Sequence, residues 1–491
     1  MKQEEHNSII AAMKNMAESG VLTVVLLTLP SLLILFFLPF TWNFQDSCAY
    51  FDIPITYNVP HYPALYLLFC QGFLKLFQGH IAAVYCIVFI QHIIYTGGVY
   101  YLSRLFKNST HKNIFLALMC FNINVLSLIN GIFPEGLFAA FQVVFWGAMF
   151  NFMFDKPHRK WHILIACIAL FCLPATKHLG ILYFGIPIVI FMGAILYKGY
   201  YKKLSQLNNY TQLVIATSAT LCIYMIFNSA LLWYINAPHK TLIGRQGIYR
   251  INALPFKELS EQAKSSLINH YTQNDPDTII KQTYQLIFNT RPYNETSDSL
   301  NAYLQRIRSP HDADYYLNKA FMDYLCNFDK IAWQATLDGF RQMERFENLA
   351  PTILSNNTID YLREVEARRF PASLRNILPK LITQAHIESV RGFINSAFLR
   401  LVVRYSIADL WACCLLLFIL FFYKIGRKAC LLFATGLAFV KITLLLNSLV
   451  TIFIIRYAIM PYMDTYLMLV LLTMFAFGVF KPDFKSELNK Q

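Results

Sequence analysis

Charge is scarce in this sequence. Of its 491 residues only 14% are Asp, Glu, Lys or Arg, against about 25% in an ordinary soluble domain, whereas 56% are hydrophobic and 16% aromatic. A chain with so few charges cannot coat itself for water, so a wholly soluble globule is excluded and a polytopic membrane protein is expected. Metal-binding cysteine patterns are missing too. No CxxC and no Cys/His spacing of the kind that holds zinc occurs, so no cofactor is indicated, and a divalent metal is not either. Most of the 11 cysteines lie in apolar runs (Cys86, Cys120, Cys167, Cys172, Cys222, Cys413, Cys414), where a thiol acts as a small hydrophobe. Cys48 and Cys326 stand apart from these and could pair in an oxidising compartment. Internal repeats and low-complexity tracts are absent, which excludes solenoids and disordered linkers.

The net charge of +14 raises nucleic acid as a partner, and its distribution removes it. Residues 236–395 carry 19 Lys+Arg and 17 Asp+Glu, which leaves 23 and 11 of the chain's 42 and 28 for the rest. The excess therefore sits in and beside the apolar segments, where positive loops face the cytoplasm and membrane lipids.

About 20 apolar residues cross a bilayer. Ten such runs are expected to be helices: 21–40, 81–103, 112–130, 135–154, 161–175, 178–197, 211–235, 398–423, 429–452 and 460–480. The short run 161–175 ends at Pro174 and reads as half of a broken pair with the next helix. Basic clusters at Lys107/Lys112, Lys156/Arg159/Lys160, Lys198/Lys202/Lys203, Lys424/Arg427/Lys428 and Lys481/Lys485 all fall on the side of both termini if there are ten spans. That side is then the cytoplasm. The first run follows a segment without a small-residue cleavage site and is longer than a signal peptide's core, so it is kept as a helix. Residues 62–79 tempt an eleventh span, but counting it would turn every basic cluster outward. They read instead as an amphipathic helix in the outer interface, with Lys75 snorkelling; a re-entrant segment is the second choice. The organisation is a transmembrane module 1–235 with a first outer loop 41–80, a mainly helical extracytoplasmic domain 236–397, and a second transmembrane module 398–491. Sequons at Asn294 and Asn356 matter only in a eukaryotic secretory membrane.

Ionisable residues at a membrane edge are costly and so become functional candidates. Here they gather on the outer side: Asp46 and Asp52 after span 1, Glu135 opening span 4, Lys177 and His178 opening span 6, Arg456 before span 10, and Asp464 two turns on. A carboxylate serves as general base on a hydroxyl acceptor, and Lys, His and Arg neutralise a phosphate leaving group. The set suits transfer from a phosphorylated lipid. Each member also has a structural reading. Asp46 could cap a helix, Asp52 could be solvated loop charge beside Pro54, and Glu135 after Pro134 suits a helix dipole. Lys177, His178 and Arg456 could be interface anchors, and His61 between Pro60 and Tyr62 an interfacial ring. Lys441 and Asn447 inside span 9 read as snorkelling or interhelical bonding.

The order of an apolar first span, Gln45-Asp46, the block His61-Tyr-Pro-Ala-Leu-Tyr66 and an interfacial helix resembles the GT-C superfamily of membrane glycosyltransferases, related to protein O-mannosyltransferases and the aminoarabinose transferase of lipid A. NGIFPEG (130–136), ATKHLG (175–180) and IIRYAIMP (454–461) look like that family's second-loop acid, its basic turn and its late Arg-Tyr element. The resemblance covers about residues 20–235 and 398–480. It implies a polyprenyl-phosphate sugar donor, a glycan, lipid or protein acceptor, and a bacterial inner membrane if the carrier is undecaprenyl phosphate. It gives Asp46 and Glu135 catalytic roles, with Lys177, His178 and Arg456 on the donor phosphate. Asp52, Tyr57, His61, Tyr62, Tyr66 and Tyr457 would contact sugar or lipid. The family's first loop commonly has two acids adjacent or one residue apart, whereas Asp46 is followed by Ser47 and the next acid is Asp52. A metal site therefore loses support, and Asp46 carries the base role alone. A carbohydrate or lipid transporter, or a catalytically silent scaffold, are the alternatives. A transporter should show related halves and polar residues at mid-membrane on several helices.

Overall fold

The computed structural model describes residues 20–37, 64–106, 108–155, 157–199, 208–234, 260–273, 278–289, 310–346, a few positions between 388 and 396, 405–425, 427–450 and 455–477. Among the described residues the regular elements are helices and no strand occurs. Six helices are long and apolar enough to cross a membrane: Ala82–Ser103, Pro134–Phe154, Arg159–Thr176, His178–Leu196, Asn208–Leu231 and Lys428–Leu449. A multi-pass membrane protein follows from these.

The remaining expected spans take other forms. Residues 112–130 form two helices, α4 (Ser109–Cys120) and α5 (Ile123–Ile129), bent by 61° and counting as a seventh span if taken together. The break falls where Asn122 turns extended and its side chain accepts from Val125 N, capping a new helix. The apolar helices α1 (Val21–Phe37), α14 (Ile407–Leu420) and α17 (Ile455–Ala476) have apolar stretches of 17 residues or fewer among the described residues. The run 161–175 is longer than the sequence suggested. It belongs to α7 (Arg159–Thr176), which continues through Pro174 and passes at Lys177 into a 3-10 segment, His178–Phe184, then α8 (Gly185–Gly199) and, further on, α9 (Asn208–Tyr234).

The candidate interfacial segment forms α2 (Ala64–Leu76), whose 13 residues are too few to cross. It buries Tyr66, Leu67 and Cys70 while Lys75 stays exposed, and the rings of Phe69, Phe73 and Phe77 follow one another along its length. That one-sided burial is what an amphipathic helix requires.

At the centre of the bundle stands α6 (Pro134–Phe154), the most deeply buried of the spanning helices, packed between α3 (Ala82–Ser103) and α7. Its residues are apolar on nearly every side, as a helix surrounded by other helices demands. The helix α16 (Arg427–Val450) sets Phe433 against Phe150, and Phe439 against Tyr183. Tyr183 in turn reaches Gln142. Ascending α16 thus means descending α6, and Lys441 lies in the half of the bundle nearer Glu135.

Outside the bundle, α10 (Glu261–Tyr271), α11 (Thr278–Asn289), α12 (Pro310–Cys326) and α13 (Lys330–Glu344) build a second, smaller core around Tyr271, Tyr284 and Tyr324. The helix α13 belongs to both cores. Ala332 and Ala335 near its start close the small one, while Met343 and Phe340 near its end enter the main one. There Glu344 pairs with Lys441, whose ammonium also lies 4.1 Å from the ring centroid of Trp411 on α14. Of the two roles expected of Lys441, snorkelling or interhelical bonding, the structure shows the second, with the partner supplied by α13.

Candidate functional site

The first polar centre forms where α6 begins. Phe133 is extended, Pro134 takes the first helical position and Glu135 follows in the first turn, an order that suits the fixed φ of proline and the positive helix end. Opposite it, α7 stops at Thr176 and Lys177 turns extended (φ −153°), its N–H held by Leu173 O. Lys177 Nζ donates to Glu135 Oε1 at 2.8 Å, with the two side chains 10% and 3% exposed. Two glycines make the approach possible. A Cβ on Gly180 would sit 2.3 Å from Leu173 C, so only glycine lets the 3-10 segment fold back on α7. A Cβ on Gly136 would meet Leu128 O at 2.6 Å, so α6 can start directly beneath α5. His178, next to Lys177, has a buried Nε2 without a hydrogen-bond partner.

The turn before α6 is fastened from α3. Gln91 Nε2 donates to Ile129 O at 2.8 Å and Gly131 O at 2.9 Å, and Tyr66 of α2 donates to Gln91 Oε1 at 3.4 Å. α2 therefore sits at the Glu135 end of the bundle. Tyr66 is fully buried there, tied to the scaffold of the site.

Deeper in the bundle lies a second polar centre. Asp464, the tenth residue of α17 and 1% exposed, accepts from Trp146 Nε1 at 2.9 Å and Gln142 Nε2 at 3.2 Å through Oδ1. Its Oδ2 accepts from the Tyr183 hydroxyl at 2.5 Å. Gln142 and Trp146 follow Glu135 by seven and eleven residues, which puts all three on one face of α6. Gln142 lies about 10 Å along the axis from Glu135. Sequence reasoning noted Asp464 but missed Gln142, Trp146 and Tyr183. The available signal was the i, i+7, i+11 spacing of the polar-capable residues from Glu135.

A third polar group closes the other end of α6. His162 Nδ1 meets the Tyr101 hydroxyl at 2.5 Å, His162 Nε2 meets Asp155 Oδ2 at 3.2 Å, and His158 Nδ1 lies 3.1 Å from the same carboxylate. Asp155 accepts from Nε2–H, so Nδ1 is the acceptor for Tyr101, the tautomer this pairing selects. Partial burial works to raise the Asp155 pKa, but the hydrogen bonds from His158 and His162 outweigh it and hold the carboxyl below its ordinary value.

Of the expected site residues, the structure pairs Glu135 with Lys177, and His178 follows Lys177 directly in the chain. Arg456 and Tyr457 open α17, with side chains outside the described residues. Asp46, Asp52, Tyr57, His61 and Tyr62 lie outside them too, as do Cys48 and both sequons. Cys326 is exposed. Among the described residues no group of three His, Cys, Asp or Glu side chains is placed to hold a metal ion. Comparison of the chain with protein-family models, curated proteins and solved structures gives no match.

Proposed function

We propose that the chain is an integral membrane glycosyltransferase of GT-C type. In this reading it takes a sugar from a polyprenyl-phosphate donor and gives it to an acceptor at the extracytoplasmic face. It would span a bacterial inner membrane ten times, with both termini cytoplasmic. The observation that carries the reading is the Glu135–Lys177 pair at one end of the bundle, next to the buried, unpartnered nitrogen of His178, where the Tyr66 helix and the smaller helical core also attach.

The chemistry follows from charge. As the bond from sugar to phosphate breaks, negative charge grows on the leaving phosphate, and a lysine held nearby without water lowers the barrier. Glu135 keeps Lys177 aimed before the donor binds. On donor binding Lys177 exchanges the carboxylate for phosphate, His178 adds a donor, and Arg456 completes the cradle. Asp46 takes the acceptor's hydroxyl proton.

The test is transfer from undecaprenyl-phosphate-linked radiolabelled sugars in liposomes. Asp46→Asn should abolish transfer while leaving donor binding intact, and Lys177→Met should weaken donor binding. Wild-type turnover in Asp46→Asn removes the base assignment, and absence of transfer with every donor tried removes the enzyme.

Transport of a lipid or carbohydrate is the second reading, favoured by the Asp464 centre. Polar residues from α6, the 3-10 segment and α17 meet near mid-helix, so polarity is not confined to one edge. Solute flux across the vesicle wall without covalent transfer would select it.

A further inference from the structure

We propose that Asp464 is a proton-binding site in the middle of the membrane bundle, and that the Gln142 amide and Tyr183 hydroxyl turn over to accommodate its two forms. This is independent of which sugar or solute the chain handles, because it concerns a proton exchanged with water.

Asp464 has three hydrogen-bond donors, all neutral. Among the described residues no Lys, Arg or His forms an ion pair with it; Lys177, the cation at the near end of α6, is bound to Glu135. A carboxylate at this depth is thus stabilised by dipoles alone, the situation in which an acid takes up a proton instead of holding an unbalanced charge. Among the described residues the groups around it offer no counter-ion. α6 contributes Gln142 and Trp146, and the 3-10 segment contributes Tyr183. Of the other elements packed on α17, α16 and α13 bring Lys441 and Glu344, which pair with each other. α14 brings Cys414, whose thiol donates to Thr465 O at 3.5 Å, and α5 brings Asn124, which donates to Tyr462. α4 contributes Cys120, and the short helix α15 (Phe422–Ile425) contributes the exposed Tyr423. Arg456 begins α17 two turns earlier, with its side chain outside the described residues.

The second observation is an imbalance at Gln142. Its side chain is 0% exposed, yet Oε1 has no hydrogen-bond partner, while Nε2 faces three acceptors at once: Tyr183 Oη at 2.5 Å, Met460 O at 3.1 Å and Asp464 Oδ1 at 3.2 Å. An amide nitrogen has two hydrogens. The 2.5 Å contact is short for N–H to O and fits O–H to O. Each form of Asp464 has its own pattern. With Asp464 ionised, Trp146, Tyr183 and Gln142 all donate to it. With a proton on Oδ1 and the amide turned, Asp464 and Tyr183 both donate to Gln142 Oε1 and Trp146 still donates to Oδ1, at the cost of the bond to Met460 O. The change adds one proton, delivered by hydronium and leaving water, and breaks no other covalent bond.

The experiment is infrared difference spectroscopy of the full-length protein in liposomes between acid and alkaline pH. A carbonyl band of an un-ionised, buried carboxyl should appear on the acid side, vanish in Asp464→Asn and persist in Glu344→Gln. Tyr183→Phe keeps the carboxyl but removes a donor to its ionised form, so its band should appear at higher pH than in the wild type. It decides the matter alone if Asp464→Asn does not fold. No such band in the wild type, a band that survives Asp464→Asn, or an unmoved band in Tyr183→Phe overturns the proposal.

Discussion

At the scale of single residues, the buried Glu135–Lys177 pair sets the largest expected effect. Removing one partner of a buried pair leaves a lone charge and costs about 3–5 kcal/mol, while removing both costs much less. Lys177→Met and Glu135→Gln should each lower the melting temperature in detergent sharply, and the double variant should recover a large part of the loss. If the double variant is as unstable as the sum of the singles, the two side chains do not act as a pair. Both residues were legible in the sequence because ionised groups stand out among apolar neighbours. Their pairing was not, since it depends on Gly180 and Gly136 allowing two backbone approaches that no local pattern announces. Gln142, Trp146 and Tyr183 were invisible for a different reason: in an apolar run each reads as core until an acid from a distant helix arrives beside it.

Among elements, α13 is the joint between the smaller helical core and the bundle. Nothing in its sequence indicated that Glu344 would meet Lys441 from 97 positions away. Glu344→Gln should loosen the C-terminal half of α13 and raise amide exchange over 336–346. The tyrosine-lined start should stay protected by the hydrogen bond from Tyr271 to Asp329 and the Asp329 cap on Ala332. Uniform exchange along all of α13 would mean the Lys441 contact does not anchor it. The break between α4 and α5 carries a related lesson. Hydropathy averages over 112–130 and sees one span, whereas Asn122 is a capping residue inside it and turns the chain.

For the whole molecule, apolar run length made the membrane class and most helix positions readable, because the bilayer imposes it. The packing order around α6 was not readable, since every spanning helix has apolar flanks and the choice of neighbour rests on shape. One whole-molecule consequence concerns acid. The depressed pKa of Asp155 means that its contribution to stability is complete above its unfolded value of about 4 and is lost as pH falls through the lower folded value. Melting temperatures measured below about pH 4 should therefore drop more steeply for the wild type than for Asp155→Asn. Parallel curves would show that the contacts with His158 and His162 contribute no net stability.

One helix touches all three polar centres: Glu135 at its start, Gln142 and Trp146 midway, and the Asp155 cap at its end, about 30 Å away. Because that helix is enclosed by other helices, it can shift only as a rod. A small molecule wedged beside Glu135 is expected to disturb the contacts of His158 and His162 at the other end of the helix. An inhibitor for this protein could thus be sought from either side of the membrane.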